Sequence, residues 1–465
     1  MMKLFSEEGD MLKINKRKFI ALALVLLLAG TFALLTTGIV IGQATAQAKP
    51  DAYEELRVFT QALELVRRNY VEEPDNKELV QGAIRGMLSN LDPHSSFMSE
   101  RAFKEMNVDI KGEFQGVGIQ IGLKNQQLTV ISPIEDTPAD RAGLAAGDKI
   151  LKINDEWTKD MTIEEAVDRM RGPKGTAVRL MIHREGWDKP KEFKIVRDVI
   201  KVMSVKARML EGDIGYIKIT QFQGQTGSEF EKKLKELEAK GMKKLVLDLR
   251  NNPGGILDAS VDVSGMFLPK DSLVVYLQGR NTADRRDYLS ADAGPYQALP
   301  LVVLVNAGSA SASEIVAGAL QDSKRAVILG TQTFGKGSVQ TVFNLDGGAG
   351  MRLTTAKYYT PKGRSIQNVG IKPDIELKLA GAKETKDGDS VHMVVREKDL
   401  DRHLKNDTVK DDGKDRKKAA PPEDEELMTE IVPKDEKEDL QLQKAMELLR
   451  TGEIYKFVPS PTLKG

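Results

Sequence analysis

Two buried apolar runs, Lys244–Leu249 and Leu301–Val305, each stop at a turn of small residues and pass into a helical pattern. Strand, turn and helix repeated in this order give a core of strands joined by helices around a largely parallel sheet. The helices expected beside these strands are Ser228–Lys240, Ile256–Phe267 and Ser313–Gln321. The first carries Phe230, Leu234 and Leu237 on one face, and its Ser228 and Glu231 stand at capping-box spacing. An α/β core is therefore expected from Gly215 onward.

Upstream the pattern changes. Tyr53–Leu91 reads as helical, with Leu56, Phe59, Leu63 and Val66 in one apolar stripe and a second helix starting at Asn76 after the break at Pro74. Asp92-Pro93-His94-Ser95-Ser96 is a turn. From about Gly112, short strands with glycine turns take over at Leu128–Ile131, Lys149–Ile153 and Val178–His183, with a short helix at Thr162–Met170. At the N-terminus, Lys13, Lys16, Arg17 and Lys18 precede an uncharged stretch of 23 residues, Ile20 to Gly42. About 20 apolar residues span a bilayer as a helix, and the basic flank keeps the N-terminus cytoplasmic. A retained anchor is the expectation, with secretion after cleavage at Ala44-Thr45-Ala46 or Ala46-Gln47-Ala48 as the alternative.

Past about Leu379, the runs Glu384–Asp389, Lys410–Lys418 and Pro433–Asp439 are dense in charge and read as a flexible tail. Leu440, Ala445, Leu448 and Leu449 are spaced for a short helix that docks elsewhere. Lys plus Arg and Asp plus Glu number 69 each, so the balance offers nothing to nucleic acid. Cysteine is absent, which removes thiolate catalysis and thiolate metal sites.

The chemistry concentrates at the two small-residue turns and one lysine. Ser311 stands in Asn306-Ala307-Gly308-Ser309-Ala310-Ser311-Ala312-Ser313-Glu314, where the Leu301–Val305 strand meets its helix. Gly308, Ala310 and Ala312 leave room for a substrate backbone, and the helix directs free N–H groups at a developing oxyanion. Ser311 and Glu314 are also spaced as a capping box, which is the plain structural reading. Lys336, 25 residues on, lies between Gly335 and Gly337 with Phe334, Val339, Val342 and Phe343 nearby. A lysine kept neutral by burial is a competent base for a serine. The turn Asp248-Leu249-Arg250-Asn251-Asn252-Pro253-Gly254-Gly255 offers further N–H donors at the carboxyl end of a strand. None of His94, His183, His392 and His403 has the spacing of a triad or metal site. These residues point to a serine–lysine hydrolase with no metal and no cofactor.

Together the segments resemble the carboxy-terminal processing (tail-specific) protease family over most of residues 53–376. Leu91-Asp92-Pro93-His94-Ser95-Ser96-Phe97 is similar to its N-terminal signature, and Phe114–Ile119 with Ala142–Ile150 to its inserted PDZ domain. The resemblance implies Ser311 as nucleophile, Lys336 as general base and Gln340 as the residue that orients the lysine amine. It implies an oxyanion hole of Gly254, Gly255 and the Ala312 N–H, and structural roles for Ser309 and Ser313. It also implies that Gly116, Val117, Gly118 and Ile119 hold a peptide's terminal carboxylate while the peptide adds as a strand.

The resulting organisation is a cytoplasmic N-terminus (1–19), a transmembrane anchor or signal segment (20–42) and a helical region (49–108). A small α+β PDZ domain (109–198), a parallel-sheet-containing protease core (199–378) and a charged tail with a short helix (379–465) follow. Expected partners are protein or peptide substrates with free C-termini, the cytoplasmic membrane through residues 20–42, and a second copy through the helical ends; the expected location is the bacterial periplasm or cell exterior. A non-catalytic PDZ scaffold that holds C-terminal tails is the alternative.

Overall fold

The computed structural model describes residues 51–379, 395–408, 432–433 and 435–460. The apolar stretch 20–42 and the charged runs 384–389 and 410–418 lie outside them. Among the described residues no helix is long and apolar enough to cross a membrane.

The described part of an N-terminal unit that ends at Ala83 contains α1 (Asp51–Asn69) and the start of α2 (Asn76–Ser89). Of the expected stripe on α1, Leu56, Phe59 and Val66 are exposed, as are Tyr53 and Leu65 beside it.

After α2 come β1 (Ser96–Met98), α3 (Glu100–Lys111) and β2 (Glu113–Gly116). An inserted domain then folds from β3 (Ile119–Lys124), β4 (Gln127–Pro133), α4 (Pro138–Arg141), β5 (Lys149–Ile153), β6 (Glu156–Trp157), α5 (Ile163–Met170), β7 (Ala177–His183) and β8 (Lys191–Val196). Its sheet runs β3-β4-β5-β7-β8, so β3 is an edge strand. Helix α5 begins at a full capping box, Thr162 with Glu165. On leaving the insert the chain forms β9 (Asp198–Lys201), which pairs antiparallel with β2. Entry to and exit from the insert are thus one two-stranded ribbon.

The core follows as β10 (Val205–Met209), β11 (Ile214–Ile219), α6 (Thr226–Ala239), β12 (Lys244–Asp248), α7 (Leu257–Gly265), β13 (Leu273–Gln278) and β14 (Arg286–Leu289). It continues through β15 (Leu301–Val305), α8 (Ala312–Asp322), β16 (Val327–Gly330), β17 (Ser338–Asn344), β18 (Gly350–Tyr359) and β19 (Ile375–Glu376). Six strands form a sheet in the order β10-β11-β12-β15-β16-β19, parallel except for the β10–β11 pair. Leu245, Leu247, Leu301, Val303, Val305 and Ile328 point to one face, where they pack with residues of α6, α7 and α8. Val246, Val302, Leu304, Val327 and Leu329 point to the other. A parallel sheet of this kind needs cover on both faces.

The second cover is α9 (Leu440–Thr451), whose Leu442, Ala445, Met446, Leu448 and Leu449 are buried against that face. The docked helix was expected; the flexible reading of the residues leading into it is corrected. Asp439 is buried at the head of α9, and residues 395–408 lie on the core with Glu397 fully buried. Charge density misled here because these charges find partners far away in sequence.

Two further differences concern local structure. Helix α6 starts upstream of the expected Ser228 cap, at Gln225, and the Ser228 hydroxyl donates back to the Gln225 carbonyl from inside the first turn. The buried Thr226 hydroxyl accepts from Gln223 N–H at 2.8 Å, which fixes the earlier start. A second sheet, order β1-β18-β13-β14 with β17 on β18, was not anticipated. It places β17 directly after Lys336.

Candidate active site

The turns after β12 and β15 are stitched together by main-chain and amide groups. Asn252 O accepts from Ala310 N at 3.0 Å and from Ser313 Oγ at 2.9 Å. Asn306 Oδ1 accepts from Asn251 N at 2.8 Å, while Asn306 Nδ2 donates to Asn251 Oδ1 at 2.6 Å. Ser309 Oγ donates to Leu249 O at 2.8 Å. The hydroxyls of Ser309 and Ser313 are therefore spent on structure.

Ser311 is different. Its φ of 54° and ψ of −114° lie outside the regions that a residue with a side chain prefers. Such a conformation costs about 1–3 kcal/mol and persists where the surroundings over-determine it. The residue heads α8, yet its hydroxyl makes no cap bond to the helix. Only the glutamate half of the expected box forms, with Ser311 N–H donating to Glu314 Oε2 at 2.8 Å. The hydroxyl is thus not spent on capping the helix.

Glu314 joins this turn to the lysine loop. Its buried carboxyl also accepts from Lys336 N at 3.0 Å, Gly335 N at 2.7 Å and Thr333 Oγ1 at 2.5 Å. Burial pushes the carboxyl up to about 8, while Thr333 and the N–H donors of Gly335, Ser311 and Lys336 pull it down. Three of its four partners are N–H groups that can only donate, while the Thr333 hydroxyl can donate or accept and so suits either form of the carboxyl. Tyr358 holds the lysine loop from the other side of the chain: its N–H donates to Gly337 O at 2.9 Å and its hydroxyl donates to Lys336 O. Burial holds this phenol well above its usual range. Ser311 and Lys336 thus share the Glu314 carboxyl through their main-chain N–H groups.

Burial drives the Lys336 amine below its ordinary value, and Arg352 adds to the effect against Glu397, Glu314 and Asp92. Gln340 lies on β17 four residues on, its Nε2 donating to Ser338 Oγ at 3.0 Å and Thr354 Oγ1 at 3.3 Å. Thr354 in turn donates to Asp92 Oδ1 at 3.1 Å. His94, which showed no partner spacing, meets Glu397 through Nε2 at 2.8 Å. Glu397 accepts from Gln367 Nε2 at 2.9 Å, and Gln367 Oε1 accepts from Gly337 N at 2.9 Å. The Asp92–Ser96 turn therefore belongs to the framework of the lysine loop.

Of the three expected oxyanion donors, Ala312 and Gly255 are open among the described residues. Ala312 is the first residue of α8, where an N–H has no intrahelical acceptor. Gly255 sits in a parallel bridge whose bonds, Phe222 N to Gly254 O and Ile256 N to Phe222 O, flank it and turn its own N–H away. Gly254 differs: its N–H already donates to Asn252 Oδ1 at 2.9 Å. Its contribution in this conformation is closeness, since a Cβ there would lie 2.7 Å from Ser311 Cβ. At Gly255 (φ 138°) a Cβ would stand 2.0 Å from Phe222 O. Gly255→Ala is expected to lower stability by about 3 kcal/mol, with turnover falling further than the unfolded fraction explains; denaturation and kcat on the same sample check this.

In the insert, the carbonyls of Val117 and Gly118 are taken by Ala139 N and Ile134 N, both at 2.9 Å. Gly118 (φ 84°) lies so close to Thr137 that a Cβ would approach within 2.3 Å. This loop, Gly116 to Ile119, leads into the free edge of β3. The expected carboxylate loop is apart from Ser311 in the chain, and the other six expected residues lie at the two turns, the lysine loop and the strand β17 that follows it. Sequence reasoning passed over Tyr358, Arg250 and the framework role of Asp92, and read Glu314 only as a cap. Glu314 did carry a signal: it is the sole charge in the otherwise uncharged run Ala312–Leu320.

Residues 213–377 match the profile of Peptidase family S41, residues 129–184 that of a PDZ domain, and residues 36–102 the activating protease CtpB N-terminal domain. The chain is 44% identical over 443 residues to the carboxy-terminal-processing protease of Bartonella bacilliformis, covering 94% of this chain and 98% of the relative. It is 35% identical over 371 residues to the carboxy-terminal processing protease CtpA of Bacillus subtilis, covering 79% and 78% respectively. Among solved structures, it is similar to the photosystem II D1 C-terminal processing protease, at 31% identity and a TM-score of 0.41 over 69% of this chain and 92% of that one.

Proposed function

The chain belongs to peptidase family S41, the serine proteases of carboxy-terminal processing with a PDZ domain, and we propose that it acts through a Ser311–Lys336 dyad. The observation that carries this reading is Glu314, whose carboxylate holds the main chain of both residues. Lys336, whose burial disfavours the ammonium, takes the Ser311 proton as Oγ attacks the scissile carbonyl. The oxyanion then faces the N–H groups of Gly255 and Ala312. Lys336 returns the proton to the leaving amine, and water resolves the acyl-enzyme by the same route in reverse. Gln340, anchored by Ser338 and Thr354, orients the amine.

Substrates enter by their C-termini. The free edge of β3 pairs with the tail as an added strand, and the Gly116–Ile119 loop receives its terminal carboxylate. The basic flank before residues 20–42 supports a membrane-anchored enzyme facing the periplasm or cell exterior. The exposed stripe on α1 supports self-association.

An unstructured protein with a free apolar C-terminus is expected to be cut by the full chain. Amidating that terminus should lower kcat/KM by ~10-fold or more, because the loop loses a charge-assisted contact. Binding of the tail without any cutting would return the molecule to a scaffold. Cutting indifferent to amidation would remove the loop from substrate selection.

A further inference from the structure

The turn that carries Gly255 is anchored from behind by a buried arginine, and two of that arginine's three side-chain partners, Asp439 and Gln441, come from the α9 segment. Arg250 Nε and Nη2 donate to Asp248 Oδ1 and Oδ2 at 3.0 and 2.7 Å. Nη1 and Nη2 donate to Asp439 Oδ1 and Oδ2 at 2.9 and 2.7 Å, and Nη1 also donates to Gln441 Oε1 at 3.0 Å. A guanidinium has five N–H donors, and here all five are placed. Both carboxylates and the guanidinium are buried. Asp439 is at the same time the cap of α9, accepting from Leu442 N at 3.0 Å. Gln441 Nε2 is tied to Leu377 O at 2.7 Å.

Resting on the proposed dyad and its oxyanion donors, we infer that Asp439 is a positioning residue for the oxyanion turn, so that the C-terminal helix completes the active site. The turn from Arg250 to Gly255 is held by the guanidinium cluster at its start, by the bonds of Asn251 and Asn252 to the Ser311 turn in its middle, and by the pair of bonds between Phe222 and the Gly254–Ile256 segment at its end. Between them, Asn251 (φ 57°), Gly254 and Gly255 hold conformations that neighbouring contacts must enforce. Loosening the arginine end frees the Gly255 N–H to drift, and an oxyanion donor works only within a few tenths of an ångström of its place. In Asp439→Asn an amide NH₂ replaces one acceptor oxygen and faces a guanidinium N–H, donor against donor.

The test uses the full chain and a peptide substrate, with a peptidyl boronic acid as probe, because its Ser311 adduct puts an oxygen in the oxyanion position. Asp439→Asn is expected to lower kcat by about 30-fold, below the ~10²–10³-fold loss of an oxyanion donor itself. KM should stay within about twofold, boronate affinity should fall by the same factor as kcat, and the pH midpoint of turnover should not move. Asp439→Glu should recover part of the loss. Leu448→Ala, which loosens α9 by packing alone, should lower the melting temperature while kcat stays. Wild-type kcat in Asp439→Asn, an equal kcat loss in Leu448→Ala, or an unchanged boronate affinity would overturn the inference. Should Asp439→Asn not fold, Gln441→Ala decides: a loss shared by kcat and boronate affinity supports the role, and no loss overturns it. A Ser311→Ala chain as active as wild type would overturn the dyad itself, and is separable from all of these.

Discussion

Lys336→Ala is expected to lower kcat by ~10³-fold or more, the upper range for removal of a general base. Ser311→Ala should lose as much, and the double variant no more than either single one, because the two act as a unit. Lys336→Arg should be equally inactive, since its side chain keeps its proton at every working pH. In the wild type, kcat/KM should rise with pH as the amine loses its proton, with a midpoint below the ordinary lysine value of 10.5 because burial disfavours the ammonium. Stability carries the matching sign. The unfolded chain binds this proton up to 10.5 and the folded site resists it, so the wild type loses stability as pH falls below 10.5 toward the lowered value. Lys336→Met removes that dependence and should melt no lower than wild type at neutral pH. A midpoint at the ordinary lysine value, or additive losses in the double variant, would remove Lys336 from the role of base.

Glu314→Gln should lower stability by about 3 kcal/mol, the scale of leaving buried donors without a charged acceptor. It should also lower kcat by ~10²-fold, as a misplaced base or nucleophile does. Thr333 Oγ1 and Gly335 N address one oxygen, Ser311 N and Lys336 N the other. Set toward Ser311 and Lys336 the amide NH₂ meets two N–H donors; set the other way it meets the Gly335 N–H, with only the Thr333 hydroxyl able to accept. Chemical denaturation beside turnover measures both effects. A glutamine variant with wild-type stability would mean that Glu314 carries a proton at the working pH and that the main-chain geometry does not need its charge.

The parallel core could be read from the chain because Leu301–Val305 is an unbroken apolar run, and Leu245–Leu249 is one interrupted only by Asp248, each passing through a turn into a helical pattern. Ser311, Lys336 and the glycine turn stood out for a similar reason, as unusual residues in a tightly limited setting, and their catalytic roles are what the variants above test. What remained hidden depends on distance. Glu397 lies 303 residues from His94, and Asp439 lies 189 from Arg250. In sequence both sit among charges that look solvated, and only the folded chain shows which charge is enclosed. The antiparallel sheet under Lys336 was missed because β17 has partly exposed faces and weak alternation. The closed N–H of Gly254 was missed because a glycine in a turn says nothing about which way its amide points.

The helix that covers the second face of the six-stranded sheet also sets an order of events during synthesis. Val246 and Leu442 meet on that face although about 200 residues separate them. A growing chain therefore carries an uncovered apolar sheet until its last turns of helix emerge, the stage at which unfinished proteins are most prone to stick to one another. Contacts of such long range also form late and slowly. Residues 440–449 must emerge before that face of the sheet can close, and a chain cut before them leaves Arg250 without the Asp439 carboxylate.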